Sequence, residues 1–382
     1  MFYDTQTQKI ALNLNMMLPY VPQKLPVTDF RWEKLIPLVG KANASLSQYN
    51  GLLESMVNPH VLLAPLTTKE ATLSSKIEGT QATFSEVLEY EAGKIYDEEK
   101  EKDIREIRNY REAMSEAERL ISKDGCIHLN MLKALHRILL EGVRGENKAR
   151  GQFRICQNWI GKVGCPLKEA SYMPPNPIDM QNALTDWENY LNTDDADILI
   201  QLSVIHAQFE LIHPFMDGNG RIGRMLIPLF LYMKRYLKFP VFYLSEFLEE
   251  NRKAYYEALR QISQSNDWQG WVVFFLNAII RQSVRNVCRA KAILKLYDKM
   301  KNQIQSVTRS QYAAQCLDAL FKQPVLSSAI FMKLTGIENR ATANLILRKL
   351  EQHHILTIIA PKNGRTPIRY AFRELIAYVN ES

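Results

Sequence analysis

Nowhere in the 382-residue chain does an uninterrupted apolar run reach about 18 residues, so no membrane-spanning helix is expected. Met1 to Met17 lacks a cationic start followed by an apolar core, so no signal peptide is expected either. Cysteine is scarce and scattered. Cys126, Cys156, Cys165, Cys288 and Cys316 are odd in number and never spaced C-x-x-C. That argues against a disulfide framework or a zinc site and for a reducing, cytoplasmic setting. A Walker phosphate loop is missing too, because no Lys-Ser/Thr follows the glycines at 218–223.

What is present suits a large folded protein. Hydrophobic residues make up 46% of the chain, enough for a packed core, and the length allows two or three domains. The net charge of +7 is unevenly spread. Arg281 to Ser382 holds 17 Lys/Arg against 6 Asp/Glu, a balance of +11, which leaves −4 for the first 280 residues. The positive excess belongs to the C-terminal part.

Chemistry concentrates in His213-Pro214-Phe215-Met216-Asp217-Gly218-Asn219-Gly220-Arg221-Ile222-Gly223-Arg224. Before it, Leu202, Ile205, Phe209 and Ile212 share one apolar face at helical spacing. Pro214 restricts His213 away from the helical region, so that helix should stop there. After a compact turn, Arg221 to Tyr236 resumes a helical pattern. A glycine-rich turn opening a helix offers backbone N–H groups and a positive dipole end to an anion. Arg221 and Arg224, three apart, can fork onto further phosphate oxygens. Asp217 offers a hard oxygen to Mg²⁺, which commonly travels with a polyphosphate. His213, with an ordinary pKa of about 6.5, can take a proton from an attacking hydroxyl. Gly218, Gly220 and Gly223 also fit the dinucleotide pattern G-x-G-x-x-G, but that needs a preceding strand, and a helix stands there instead.

This stretch resembles the Fic family signature H-P-F-x-D/E-G-N-G-R-x-x-R at every fixed position. Fic proteins similar to it are protein adenylyltransferases that move AMP from ATP onto a hydroxyl side chain. The resemblance implies that His213 is the base and that Asp217 holds Mg²⁺ between the α- and β-phosphates. It implies that Gly218, Asn219 and Gly220 cradle the anion, and that Arg221 and Arg224 hold the outer phosphates, with Ile222 and Gly223 in the same nucleotide-binding turn.

The rest of the chain is read around that centre. Residues 1–40 read as an irregular arm, and helices follow from about Trp32 to Met56. Leu66 to Glu78 can be a helix with Gly79 as its stop. A helix ending in Glu opposes its own dipole, so Glu78 either has a cationic partner elsewhere or is a solvated surface residue. Ser74-x-x-x-Glu78-Gly79 resembles the inhibitory S/T-x-x-x-E-G/N motif of Fic proteins. That likeness would pair Glu78 with Arg224 in the place meant for the γ-phosphate. Glu86 to Arg111 reads as a charged helix. Gly151 to Gly161, with Gly164 and Pro166, reads as a short β-hairpin. It is either a plain surface feature or, by the resemblance, the flap that pins a target peptide, with Asn158, Trp159, Ile160 and Gly161 on its nucleotide side. On a later helix Asn251, Tyr255 and Tyr256 are either core or, by the same likeness, a wall of the adenine pocket.

From about Val307 the pattern reads helix, helix, helix and two strands flanking Pro361 to Thr366, with Asn363-Gly364 as a hairpin signal. This resembles a winged helix-turn-helix exposing Arg340, Asn344, Arg348 and Lys349, with Lys362 and Arg365 on the wing. The expected architecture is therefore mainly α: an arm and restraining helix in 1–100, a Fic-type helical core with a hairpin flap in 101–300, and a winged-helix domain in 301–382. Expected ligands and partners are ATP, Mg²⁺, a protein substrate, the chain itself as a target or in a homodimer, and DNA through 307–372. Two function classes stay open on sequence: an adenylyl- or other phosphate-group-transferring enzyme, and a DNA-binding regulator whose nucleotide site only senses.

Overall fold

The structure, a computed structural model, describes residues 18–161, 166–362 and 367–380. The segment Met1 to Met17 and the anticipated wing tip Asn363 to Thr366, Arg365 included, lie outside the described residues. Helix α1 (Trp32–Ser55) is followed by α2 (Pro59–Leu62), α3 (Ala64–Ile77) and α4 (Phe84–Glu91). As the glycine stop implied, α3 ends just before Glu78, and Gly79 sits at φ +99°, a conformation glycine adopts at no steric penalty. A capping box between Thr83 and Glu86 starts α4. The charged stretch expected as one helix is two, because Gly93 turns left-handed at φ +93° and ends α4. Then come α5 (Glu98–Asp124), α6 (Leu129–Leu139), α7 (Pro177–Asn192), α8 (Ile198–Ile212), α9 (Asn219–Met233), α10 (Ser245–Glu250), α11 (Arg252–Ser265) and α12 (Trp268–Thr308). The C-terminal part runs α13 (Ala313–Lys322), β1 (Val325–Ser327), α14 (Ser328–Thr335), α15 (Arg340–Gln352), β2 (Thr357–Ala360), β3 (Arg369–Ala371) and α16 (Arg373–Asn380). The fold is mainly helical.

By contacts the chain falls into two units, each assembled from three separated stretches. The first takes residues 1–43, 112–235 and 250–279. At its centre α8 is apolar all round and buried along nearly its whole length, as a helix enclosed by neighbours must be. It packs against α7, α9 and α11. Asp197 caps its start, with Oδ1 accepting from the N–H groups of Leu199 and Ile200. Two buried indoles donate to its carbonyls, Trp187 to Ile205 at 2.9 Å and Trp271 to Ser203 at 2.8 Å. These bonds fix the rotation of α8 about its axis, and therefore which way its last residues face.

The second unit takes residues 44–111, 236–249 and 280–382. Here α3 packs against α2, α4, α13 and α16, and α4 packs on β1. The small antiparallel sheet has the order β1-β3-β2, with Leu326 and Ile358 both opposite Tyr370. Asn339 caps α15, as its place in the sequence suggested. Arg340 and Arg348 are exposed on α15 and Asn344 is half-buried, whereas the Lys349 ammonium donates to the Thr308 carbonyl at 3.1 Å rather than facing outward.

Buried charge ties this unit together. The Glu246 carboxylate accepts from both terminal nitrogens of Arg289 and lies 2.9 Å from the Lys69 ammonium. Lys69 also donates to the Val379 carbonyl at 2.8 Å, and Glu70 accepts from the Ser245 hydroxyl at 2.6 Å. Burial pushes the Glu246 carboxyl up, but Arg289 and Lys69 outweigh it and bring the pKa from 4.5 down to about 2. A depressed carboxylate stabilises the fold above its unfolded pKa, and the contribution is lost as pH falls from 4.5 toward about 2. Glu246→Gln leaves two buried cations facing a neutral amide and should cost about 3 kcal/mol at neutral pH. Urea unfolding should show that loss, together with a flatter acid limb than the parent chain.

Candidate active site

Helix α8 ends at Ile212, and His213 follows in the left-handed region at φ 50°, ψ 60°. A non-glycine residue held there stores strain and persists only where its surroundings over-determine it. The surroundings do so here. The His213 N–H donates to the Phe209 carbonyl, the Tyr172 hydroxyl to the Leu211 carbonyl at 2.7 Å, and Arg154 Nη2 to the Ile212 carbonyl. Arg154 Nε donates to the His213 carbonyl at 3.0 Å, and the Arg154 backbone N–H to the Pro214 carbonyl at 2.9 Å. Arg154 is almost fully buried, and burial brings its pKa down to about 10. On the ring, Nδ1 lies 3.2 Å from the Glu210 carbonyl oxygen. A carbonyl can only accept, so this bond puts hydrogen on Nδ1 and makes Nε2 the proton acceptor.

The loop from Pro214 to Gly218 is closed by one side chain. Asn219 Oδ1 accepts from the Phe215 N–H, and Asn219 Nδ2 donates to the Phe215 carbonyl, both at 2.8 Å. The amide of Asn219 is therefore a staple, and only its backbone faces the cradle role. His136, on α6, stacks on Phe215 with centroids 3.9 Å apart. Its Nδ1 accepts from the Gly151 N–H and its Nε2 meets the Asp217 carbonyl, each at 2.9 Å. Those partners require a neutral ring protonated at Nε2. Burial, helped by the nearby Arg221 charge, lowers its pKa to about 4.

Gly218 takes φ 76° and opens α9, so Asn219 and Gly220 supply first-turn N–H groups that no carbonyl of their own helix can reach. Asp217 Oδ1 accepts from the Gly218 N–H at 2.7 Å and lies 3.4 Å from Arg221 Nη2, while Oδ2 lies 3.0 Å from the Lys148 ammonium. Burial pushes the Asp217 carboxyl up, but Lys148, Arg221 and the Gly218 N–H outweigh it and hold the group below the usual carboxylate range. A lone ionised carboxylate beside a helix start fits Mg²⁺, which takes its remaining ligands from phosphate and water. Arg221 and Arg224 are both buried in the first turn. Ile222 is wholly buried and its N–H donates to the Gly218 carbonyl, so it serves the core. Gly223 also has a packing role, because a Cβ there would stand 2.2 Å from Glu210 Oε1. Its carbonyl lies 3.0 Å from His206 Nδ1, and His206 Nε2 lies 3.0 Å from the Tyr255 hydroxyl. Burial takes His206 down to about 3, so it too is neutral.

Comparison with known proteins now has a geometry to refer to. Residues 36–119 match the model described as Fic/DOC family N-terminal, and residues 126–231 match that described as Fic/DOC family. The chain belongs to the Fic/DOC family. Curated relatives include a protein adenylyltransferase Fic of Culex quinquefasciatus, 28% identical over 165 residues, which are 42% of this chain and 29% of that protein. Another, from Drosophila grimshawi, is 31% identical over 104 residues, 26% of this chain and 19% of that protein. The match thus spans less than a third of these relatives. A Fic family protein from Desulfovibrio desulfuricans has the same fold at a TM-score of 0.58 and 21% identity, covering 93% of this chain and 98% of that one. A Fic domain containing signaling protein from Bacteroides thetaiotaomicron aligns at 0.53 and 17% identity, over 66% of this chain and 97% of its own.

Other residues expected at the Fic site are placed as follows. The anticipated flap hairpin is reduced to one antiparallel bridge, Ile160 to Tyr172, and Gly164 lies outside the described residues. Pro174 and Pro175 have no N–H with which to extend a ladder. Asn158 Nδ2 donates to the Phe215 carbonyl at 3.4 Å, which brings that residue to the loop, while Trp159 is 43% exposed and Gly161 is exposed. Tyr255 is buried under Trp271 and holds His206, whereas Tyr256 is half-exposed with Arg252 over its ring. Asn251 immediately precedes α11. Ser74, Glu78 and Gly79 belong to the second unit, Ser74 fully buried on α3 and Glu78 as its C-terminal cap residue.

Sequence reasoning missed His136, Lys148, Arg154, Tyr172 and His206. Each lies far along the chain from the residue it serves and in no dense motif. A histidine whose folded pKa is depressed stabilises the fold above its unfolded pKa, and that support is lost as pH falls from 6.5 toward about 4. Thermal midpoints should accordingly drop across this window. In His136→Gln the midpoint at pH 7 should be lower but its fall between pH 6.5 and 4 shallower, leaving the part due to His206.

Proposed function

We propose that this chain is a protein adenylyltransferase, moving AMP from ATP to a serine, threonine or tyrosine hydroxyl of a cytoplasmic protein, itself included. The observation that carries this reading is the His213 ring, turned by its Nδ1 contact to Glu210 so that Nε2 accepts, beside a glycine-opened helix start with two buried guanidiniums. In this reading Nε2 takes the proton as the hydroxyl oxygen attacks the α-phosphorus. The new P–O bond forms as the bond to the bridging α–β oxygen breaks, and pyrophosphate leaves in line. The Asn219 and Gly220 N–H groups, Arg221 and Arg224 hold the phosphates before and after transfer. Asp217 is the residue that would hold Mg²⁺, whose contribution when bound is to neutralise charge on the α- and β-phosphates. Curated relatives named protein adenylyltransferase support the same chemistry.

We further propose that the chain restrains itself. Glu78 would pair with Arg224 and deny ATP the pose that exposes its α-phosphorus. With ATP labelled at the α-phosphate and Mg²⁺ present, label should appear on protein. It should vanish in His213→Ala while nucleotide binding stays, and rise in Glu78→Gly about tenfold or more, as expected when a charge-assisted block is lifted. Label arriving only from the γ-position would mean phosphotransfer instead. Equal rates in Glu78→Gly and the parent would rule out the restraint.

A second reading has its own support in the +11 balance of residues 281–382 and the exposed Arg340 and Arg348 on α15. It assigns DNA contact to residues 307–372, with the nucleotide site as a sensor. Arg348→Ala should then weaken duplex binding in a fluorescence anisotropy titration and flatten its salt dependence. No binding of the parent chain at low salt would remove this reading.

A further inference from the structure

Lys148 belongs to no motif, yet its ammonium stands 3.0 Å from Asp217 Oδ2. The turn that carries it is shaped around that carboxylate. Gly145 takes φ +89°, and a Cβ there would lie 2.9 Å from the same Oδ2 atom. The Lys148 N–H donates to the Gly145 carbonyl at 2.9 Å and closes the turn. Ala149 at φ 52° and Gly151 at φ 74° keep the chain folded back on itself. The Gly151 N–H then binds His136, the ring that also meets the Asp217 carbonyl. Three left-handed residues between positions 145 and 151 are a strained arrangement, and strain of this kind gathers at functional sites.

The two oxygens of Asp217 are held differently. Oδ1 is fixed by the Gly218 N–H and approached by buried Arg221, both inside the loop. Oδ2 faces Lys148, whose side chain is 55% exposed. An ion pair that open to water contributes little to stability, so holding the fold is a poor account of a turn built this tightly. A lysine is a compact point charge on a flexible stem, suited to leaving one oxygen for another.

We propose that Lys148 is the resident counter-ion of Asp217 in the nucleotide-free chain and passes to the triphosphate when nucleotide arrives. The proposal deepens the adenylyltransferase reading and rests on it. A bare carboxylate at the mouth of an anion site would repel incoming ATP. The ammonium cancels that repulsion before any metal is present, and a metal ion cancels it afterwards. Lys148 therefore matters most when metal is absent.

The test is calorimetric binding of ATP to the full chain at low ionic strength, once with EDTA and once with saturating MgCl₂. In Lys148→Met the affinity under EDTA should fall about tenfold, while with MgCl₂ it should change by less than about threefold, because the ion then supplies the missing charge. Lys148→Arg, which keeps the charge, should stay near the parent under both conditions. Thermal midpoints of both variants should match the parent, as expected for a half-exposed pair. Equal weakening under both conditions would make Lys148 an ordinary phosphate ligand and overturn the proposal, and so would no weakening in either. Failure of the parent chain to bind ATP under both conditions is a different result, and it would sink the adenylyltransferase reading and the proposal together.

Discussion

The end of a buried helix leaves carbonyls that water cannot reach, and the site depends on how α8 satisfies them. From Phe209 to Phe215 every carbonyl oxygen has a donor within reach: a backbone N–H, the His213 ring, a tyrosine hydroxyl, the Arg154 guanidinium, the Arg154 N–H or the Asn219 amide. One arginine serves this helix end and also bonds the Pro175 and Cys156 carbonyls of the flap segment. Its positive charge suits the negative end of the helix dipole. A backbone pinned at seven successive carbonyls has almost no freedom left, which is how a histidine can be kept at positive φ and its ring kept aimed.

Two neutral histidines extend the same logic outward. His136 joins α6 and the 145–151 turn to the signature loop, and His206 joins α11 to the first turn of α9. Both lie among aromatic rings, and both would disrupt their hydrogen bonds by taking a second proton. The glycines of the signature divide their work. Gly218 provides the left-handed turn, Gly220 exposes backbone at the helix start, and Gly223 clears room for the Glu210 carboxylate. A pattern that reads on paper as three phosphate-binding glycines is in three dimensions one turn, one cradle and one packing contact.

Much of this was legible in the sequence because it is local. Helix periodicity gave α1, α3, α8, α9 and the order of elements from α13 to β3 close to their observed ends. The stop at Gly79 and the cap at Asn339 follow from chemistry a few residues wide. The signature announced His213, Asp217, Arg221 and Arg224 through sheer density. What escaped was non-local. Nothing near Arg154 in the chain says that its partners are Ile212 and His213, and nothing near Lys148 points to Asp217. The break at Gly93 and the thin flap escaped for another reason: charge pattern and strand propensity were weighed above a single left-handed glycine and a proline pair. Nor does any local signal say that residues 44–111 and 280–382 share one unit.

Helix α3 shows a division of labour along its own length. Near its N-terminal end Lys69 and Glu70 are tied to Glu246, Val379 and Ser245, groups drawn from the two other stretches of its unit. The S-x-x-x-E-G motif lies at the opposite end, more than a full turn from those anchors. Because support and motif occupy opposite ends of one rod, the tip can vary through evolution while the base stays moored, and the strength of any signal carried there can drift independently of how well the protein is built.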